Sequence, residues 1–365
     1  WVVLGSVAIG FVSSYFLSRY RRRQQNELSN DLREFAQIIK PAPLVYKSPT
    51  MVVPFFAFYE DRNAWRELTA ERRAGPTSMP NEISLITYNV WFSSHKQKER
   101  TEALLDILAE KAPHIVCLQE LTSTSLGIID ENEFIRQNYV ASDIHGSTFQ
   151  GYGVVTFVSK ELINSASYSK VYYRALPSSF CRRVKFVDLH FVCGETERIL
   201  RIVTVHLESS AGGHKTRKEQ LRIIATMIKS QETVTSYEIT TADDQTIASS
   251  APYIHTIFVG DFNFDSDWLR AEDKPCREYD VLQACNLTDT WREVHPDDPG
   301  FTMPQTNSSP AKRIDYVMYS SHLFAPSSIS LLGTENISNE ECELCSQAGR
   351  VCSPSDHFGL YATFK

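Results

Sequence analysis

The stretch "TVHLESSAGGHKTRKEQLRII", Thr204–Ile224, begins as an apolar strand, ends that strand on a histidine and a glutamate, and runs on into a basic helix. Imidazole and carboxylate groups avoid burial unless they are paired. A strand that ends on them delivers them to a rim, and the habit recurs along the chain. "LITYN" stops at Asn89, "IVCLQE" at Glu120, "IVTVH" at His206 and "IFVGDFN" at Asp261 and Asn263, while "SPSDHFG" sets Asp356 and His357 just before the last strand. One strand-end Asn or Asp is an ordinary turn former. Five strands ending on carboxamide, carboxylate and imidazole groups, and none on lysine, ask for more than turn chemistry.

Around these ends the patterns are those of a layered fold. After the strand in "NEISLITYNVWF" comes "RTEALLDILAEKAP", where Ala103, Leu104, Ile107 and Leu108 make one helical stripe that Pro113 stops. "HIVCLQE", "GVVTFVS", "RRVKFVDLHFV", "RILRIVTVHLES", "HTIFVGDFNFD", "RIDYVMYS" and "FGLYATF" follow as apolar runs, several of them apolar on both faces, as in sheets covered on each side. The helix "RKEQLRIIATMIKSQ" turns Leu221, Ile224 and Ile228 to the core, and the Thr/Ser/Asp-rich segment after it reads as a surface insertion. Two β-sheets packed together with helices outside, an α/β architecture, account for the order.

The chain has 365 residues, 42% apolar and 22% charged, enough to bury a large core. A net charge of −7 excludes a protein that coats nucleic acid or an acidic membrane with its whole surface, so a polyanion must meet a local basic patch. Residues 1–18 carry no charge and are followed by Arg19, Arg21, Arg22 and Arg23. That run is expected to be a transmembrane anchor, with the arginines and the rest of the chain on the cytosolic side of a single-pass membrane protein. Residues 19–80 read as a basic stop and tether whose aromatic segment "VVPFFAFYEDRNAW" packs on the domain, and residues 81–365 as the folded domain. The eight cysteines are expected to be free thiols; Cys342, Cys345 and Cys352 are spaced as three zinc thiolates but lack a fourth ligand. Sequons stand at Asn286, Asn307 and Asn336.

One or two carboxylates, an amide oxygen and waters suit a hard divalent cation such as Mg²⁺, which favours phosphate substrates. Imidazoles beside it stabilise a phosphoryl oxygen or move protons. Phosphodiester hydrolysis uses every part. In this order "YNVW", "LQEL", "HLES", "GDFNFD", "RIDYVMY" and "PSDHFGL" resemble the motif series of the endonuclease/exonuclease/phosphatase superfamily. The branch of tyrosyl-DNA phosphodiesterase 2 is similar in three further places: the basic "RKEQLRII" after "HLES", "GFTMPQTNS" before "RID", and "LLGTENI" before "PSDHFGL".

The resemblance, from about Ile83 to Phe364, implies a deoxyribonuclease I-like four-layer α/β/β/α sandwich and a Mg²⁺-dependent phosphodiesterase, with Mn²⁺ as a substitute ion. Its substrate would be a 5′-linked phosphodiester at a nucleic-acid end, such as a phosphotyrosyl adduct met in DNA repair. It implies Glu120 as the principal metal ligand, with Asn89 hydrogen-bonded beside it and Asp356 near the ion. Asp261 would orient and deprotonate the attacking water, and Asn263 would hold that water or a phosphate oxygen. His357, held by Asp315, would stabilise the transition state, and His206 would hydrogen-bond another non-bridging oxygen; Glu208 would support its loop.

Two positions depart from the family pattern. Trp91 stands where an acidic residue is expected, and Phe264 and Asp265 follow "GDFN" where an arginine is expected. For the substrate rim, Lys96, Lys98 and Arg100, then Arg182, Arg183 and Lys185, then Lys215, Arg217, Lys218 and Arg222 form three basic clusters, to be weighed against solvated charge. Trp268 and Trp291 either stack bases or fill the core. The anchor also suits a phospholipase C of the neutral sphingomyelinase type. A non-catalytic anchored scaffold is disfavoured because every expected polar position is filled, and an inositol-polyphosphate phosphatase because its basic signature has no counterpart.

Overall fold

The structure, a computed structural model, describes residues 48–68, 77–193, 196–210, 212–229, 239–240, 246–247, 252–266, 277–337, 349 and 352–365. The expected anchor at 1–18 and its arginine flank lie outside these residues, as do Trp268, Cys342 and Cys345. Among the described residues no helix is long and apolar enough to cross a membrane.

The strands are β1 (Thr50–Val53), β2 (Phe55–Tyr59), β3 (Ala64–Leu68), β4 (Ile83–Asn89), β5 (Ile115–Thr122), β6 (Tyr139–Ala141), β7 (Tyr152–Ser159), β8 (Tyr168–Ala175), β9 (Arg183–Cys193), β10 (Thr196–His206), β11 (Ile239–Thr240), β12 (Thr246–Ile247), β13 (Tyr253–Asp261), β14 (Thr288–Asp289), β15 (Asp315–Ser320), β16 (Pro326–Leu332) and β17 (Gly359–Phe364). The helices are α1 (Gln97–Lys111), α2 (Ser123–Glu131), α3 (Glu133–Asn138), α4 (Lys160–Ser165), α5 (His214–Lys229), α6 (Arg277–Ala284) and α7 (Thr290–Val294). One sheet runs β1-β8-β9-β10-β13-β15-β14 and the other β16-β17-β4-β5-β7-β6-β2-β3, while β11 and β12 pair by themselves within the insertion.

Each sheet has a parallel pair at its centre, β4 with β5 and β10 with β13. A helix makes each crossover, α1 in the first and α5 in the second, so each pair ends at the same edge of its sheet. Ligands of α/β sheets collect beyond such carboxyl ends.

Alternation along the central strands builds three cores, and three cores between layers mean four layers. In β4, Ile83 and Leu85 face the inter-sheet core while Ile86 and Tyr88 join the core shared with α1, α2 and α3. In β10, Leu200 and Ile202 face between the sheets while Val203 and Val205 meet Leu221, Ile224 and Ile228 of α5, the three residues the helical spacing selects. The stripe of α1 is shifted from expectation. Arg100, Thr101, Leu104, Leu105 and Leu108 are its buried face, whereas Ala103 and Ile107 are half-buried. Ala112 closes it in a left-handed conformation, φ 40°, just before Pro113.

Part of the segment read as a tether is built into the sheets. β1 pairs with β8 at the edge of one sheet, and β2 pairs with β6 at the edge of the other, with β3 outside it. Edge strands cover apolar surface on one side only, so their composition does not announce them; Phe55 and Ala57 are buried, while Met51 and Val52 stay exposed.

Candidate active site

The residues singled out at strand ends converge beyond the carboxyl edges of both sheets. In the β10–β13 register His206 lies opposite Asp261, and in the antiparallel β13–β15 register Asp261 lies opposite Asp315. Gly260, φ 134°, allows the approach: a Cβ there would lie 2.0 Å from the carbonyl oxygen of Val205. From the other sheet, Asn89 ends β4 and its Nδ2 donates to Asp261 Oδ2 at 3.0 Å. Glu120 stands at a register shift between β5 and β7, with φ 61°. This bulge turns its carboxylate off the sheet face, where the amide of Phe92 donates to Oε2 at 3.0 Å.

The loop before β17 completes the set. The Ser355 hydroxyl donates to the Asn89 carbonyl at 2.6 Å and accepts from the amide of His357 at 3.2 Å. His357 Nδ1 lies 2.8 Å from Asp315 Oδ2. Thr302, from the "GFTMPQTNS" stretch, accepts the Ile314 and Asp315 amides on its hydroxyl and the Phe358 amide on its carbonyl, and so ties the Asp315 strand to the His357 loop. On the opposite flank, Arg182 Nη1 meets His206 Nδ1 at 2.9 Å and donates to the Tyr152 hydroxyl, while Nη2 donates to Ser209.

Among the described residues two groups bring their donor atoms within 4.8 Å of one another, Glu120 with His206 and Asp261, and Asp261 with Asp315 and His357. Asp356, expected near a metal, stands outside both groups and acts on Glu120 and His357 through its charge. Asn89 turns its amide toward Asp261 and accepts the Trp91 amide on Oδ1 at 3.0 Å. Asn263, φ 55°, donates its backbone amide to Asp261 Oδ1 at 2.8 Å and its side-chain amide to the Leu207 carbonyl.

The charges are uneven. Burial, with the Asp315 carboxylate next, pushes Asp261 up to about 7, against the pull of His357 and Asn89. Burial raises Glu120 as well, partly offset by the Phe92 amide. For His357, burial opposes protonation, but the Asp315 carboxylate outweighs it and holds the ring well above the usual imidazole value. His206 is held well below that value by burial and then by the Arg182 guanidinium. Four carboxylates, Glu120, Asp261, Asp315 and Asp356, thus face one favoured imidazolium. Asp315 Oδ1 is buried with no hydrogen-bond partner among the described residues. An oxygen-rich, net-negative set of this kind fits a hard divalent cation.

Glu208 lies away from the cluster and braces its loop. It accepts from the Ser178 hydroxyl at 2.6 Å and the Ser179 amide at 3.1 Å, while its own amide donates to Gln220 of α5. Trp91, at the position of the missing acidic residue, lies beneath the Arg100 guanidinium, 4.6 Å from ring centroid to Cζ.

The basic clusters divide. Arg100 is buried and donates to the carbonyls of Val90, Trp91, Ser93, His95 and Pro354, so it fastens the loop after Asn89 and forms no rim. Lys185 is buried between the sheets on Ser142 Oγ and the Val154 carbonyl, with burial pushing it down to about 8. Arg217 pairs with Glu278. Trp291 is core, donating from Nε1 to the Asp298 carbonyl. Beside His206 a small pocket is lined by Tyr152, Tyr173, Phe180, Arg182, Arg183 and Lys185, among others. Sequence reading named Arg182 only as one of a basic cluster and passed over Tyr152, Thr302 and Ser355, whose partners are distant in the chain. Cys117, Cys181 and Cys285 are free thiols.

A profile of the Endonuclease/Exonuclease/phosphatase family matches residues 86–357. No curated protein sequence matches the chain. Among solved structures, a humanized D. rerio TDP2 carrying 14 mutations is similar over 78% of this chain and 100% of its own, with 21% identity and a TM-score of 0.53. D. rerio TDP2 complexed with a single-strand DNA product gives 20% identity, the same coverages and a TM-score of 0.51. The human Nocturnin catalytic domain with bound sulfate covers 79% of this chain and 95% of its own, at 16% identity and a TM-score of 0.50. At these identities the likeness to solved structures speaks for the fold.

Proposed function

The chain belongs to the endonuclease/exonuclease/phosphatase family, and from that premise we propose that it is a Mg²⁺-dependent phosphodiesterase that hydrolyses 5′-linked phosphodiesters at nucleic-acid ends. One observation carries the reading. Glu120, His206, Asp261, Asp315 and His357, from five separate segments of the two sheets, bring their ligand atoms into two overlapping groups, each within 4.8 Å. The preference for nucleic-acid ends draws on the motif likeness to the tyrosyl-DNA phosphodiesterase 2 branch and on the DNA product held by one similar structure.

Glu120, with Asp356 acting from beside it and Asn89 orienting the neighbouring carboxylate, would hold the ion. When bound, Mg²⁺ supplies positive charge to a phosphoryl oxygen as a Lewis acid. Asp261 has the features of a general base. Its value near 7 matches working pH, and donors on both oxygens, the Asn89 amide and the Asn263 backbone, fix its orientation toward a water. His357, kept cationic by Asp315, donates to the oxygen that gains charge in the pentavalent state. His206 faces the same centre from the opposite flank and contacts a second non-bridging oxygen. Asn263 lends its αL backbone to the base, and its side chain is occupied by the Leu207 carbonyl.

The test is a pair of assays on the purified full chain, one with a 5′-phosphotyrosyl oligonucleotide and one with sphingomyelin, each with Mg²⁺ and with EDTA. Release of the 5′-phosphate oligonucleotide with Mg²⁺ and none with EDTA is the expected result. Hydrolysis of sphingomyelin alone would transfer the chain to the phospholipase C class, and inactivity on both would overturn the nucleic-acid reading.

A further inference from the structure

We infer that Arg182 is a positioning residue that fixes the tautomer of His206, so that His206 presents Nε2–H to the phosphoryl oxygen and stays out of the ligand set of the cation. The inference rests on the phosphodiesterase reading of this centre, yet its structural half stands by itself.

A guanidinium has five N–H donors and no acceptor. At 2.9 Å from Arg182 Nη1, His206 Nδ1 must therefore be the acceptor, and a neutral ring that accepts at Nδ1 carries its proton at Nε2. The surroundings of Nε2 agree. It stands 3.4 Å from Asp261 Oδ2 and 3.7 Å from Glu120 Oε1, where a lone pair would face two carboxylates and an N–H faces attraction. A protonated Nε2 has no electron pair to give a metal, so of the donor group Glu120, His206 and Asp261 only the carboxylates remain as ligands.

The guanidinium is built for a fixed position. Arg182 is 5% exposed, its Cζ lies 5.4 Å from the centroids of both the Tyr152 and the Phe180 rings, and Tyr152 Oη and Ser209 Oγ take two more of its donors, while Nε is buried with no partner among the described residues. Ser209 belongs to the same "HLES" turn as His206, so donor and ring are tied to one piece of backbone. Cys181, φ 55°, turns the chain into β9 just ahead of Arg182.

The experiment uses the full chain labelled with ¹⁵N-histidine, metal-free, with the His206 signals assigned by subtraction of the His206→Gln spectrum. Imidazole ¹⁵N shifts should report the Nε2–H form in the wild type. Arg182→Met should give a mixed or Nδ1–H ring and lower kcat in proportion to the Nε2–H fraction lost, up to about 10²-fold, the scale of one lost preorganised donor, with KM changed far less. Arg182→Lys keeps a donor without the planar fork and should recover both the tautomer and most of kcat; a folded Lys variant keeps the question decidable if the Met variant is unstable. An Nδ1–H ring in the wild type, an unchanged ring and kcat in Arg182→Met, or a Lys variant as impaired as Met would each overturn the inference. A wild type inactive on every phosphodiester would sink the functional reading, whereas the ¹⁵N shifts would still decide the role of Arg182.

Discussion

His357 enters the site from the loop before β17 of one sheet and meets the Asp315 carboxylate at 2.8 Å; His206 ends β10 of the other sheet and meets the Arg182 guanidinium at 2.9 Å. Both rings are buried, and burial alone would leave both neutral. The partner at Nδ1 makes the difference, an acceptor-only anion in one case and a donor-only cation in the other. One imidazole is thereby held charged and the other neutral. Environments that drive two like groups apart in pKa are how a site divides acid and base roles.

Breaking the charged half should cost most. His357→Ala removes a preorganised donor to the developing oxyanion and should lower the Mg²⁺-supported rate by about 10²–10³, roughly 3–4 kcal/mol, read from single-turnover hydrolysis. Asp315→Asn leaves the ring in place but withdraws the carboxylate that keeps it cationic. A loss of about 10² is expected, and the deficit relative to wild type should narrow toward acid pH as the ring is protonated by solvent instead. His206→Gln, which retains an N–H donor on the neutral side, should cost only about 10-fold. A larger penalty for Gln at 206 than for Ala at 357 would reverse the proposed division of roles.

The third carboxylate sharpens the contrast through stability. Asp261 titrates at about 7 in the folded protein, above its ordinary unfolded value near 4, so the folded state binds more protons across that window. Stability of the metal-free chain therefore falls as pH rises from about 4 to 7 through this group. His357, raised by Asp315, favours the fold below the unfolded imidazole value and loses that contribution as pH climbs through its folded value; His206, lowered, works against the fold below about 6.5. In EDTA, the melting temperature of Asp261→Asn relative to wild type should rise steadily from pH 5 to pH 7.5, at about 2 °C per kcal/mol. A pH-independent difference would contradict the assigned shift. The smallest effect is expected at Phe180, 45% exposed, where Ala removes one wall of the Arg182 stack; a loss of a few-fold in kcat, with the fold intact by melting temperature, is the outcome that a packing role predicts.

The same comparison shows what a sequence can disclose. Asn89, Glu120, His206 and Asp261 were legible because a polar group at the end of an apolar strand violates the local pattern, and several such violations, with His357 just before the last strand, require a common cause; Asp315 came only with the motif resemblance. The four layers were legible from strands apolar on both faces. What tunes the two rings was only half visible. Asp315 stands inside a motif, whereas Arg182 reaches His206 across 24 residues and two strands, and in the text it is one basic residue among several. Arg100 and Lys185 misled for the reciprocal reason: backbone carbonyls and a hydroxyl from remote segments neutralise their desolvation, and no local spacing signals such acceptors. β1–β3 were read only as an aromatic segment packed on the domain, and not as strands, because edge strands need little apolar alternation, and the bulge that lifts Glu120 off its sheet leaves no mark in "IVCLQE".

Hydrolysis of a phosphodiester by the full chain, titrated with Mg²⁺ and compared with Glu120→Gln under the same conditions, bears most directly on the claim that these strand ends form one metal-assisted centre. A rate that saturates with Mg²⁺ in the wild type and nearly vanishes in the variant, while both proteins melt cooperatively, is the predicted result. Equal turnover by the two proteins, or turnover indifferent to EDTA, would contradict it.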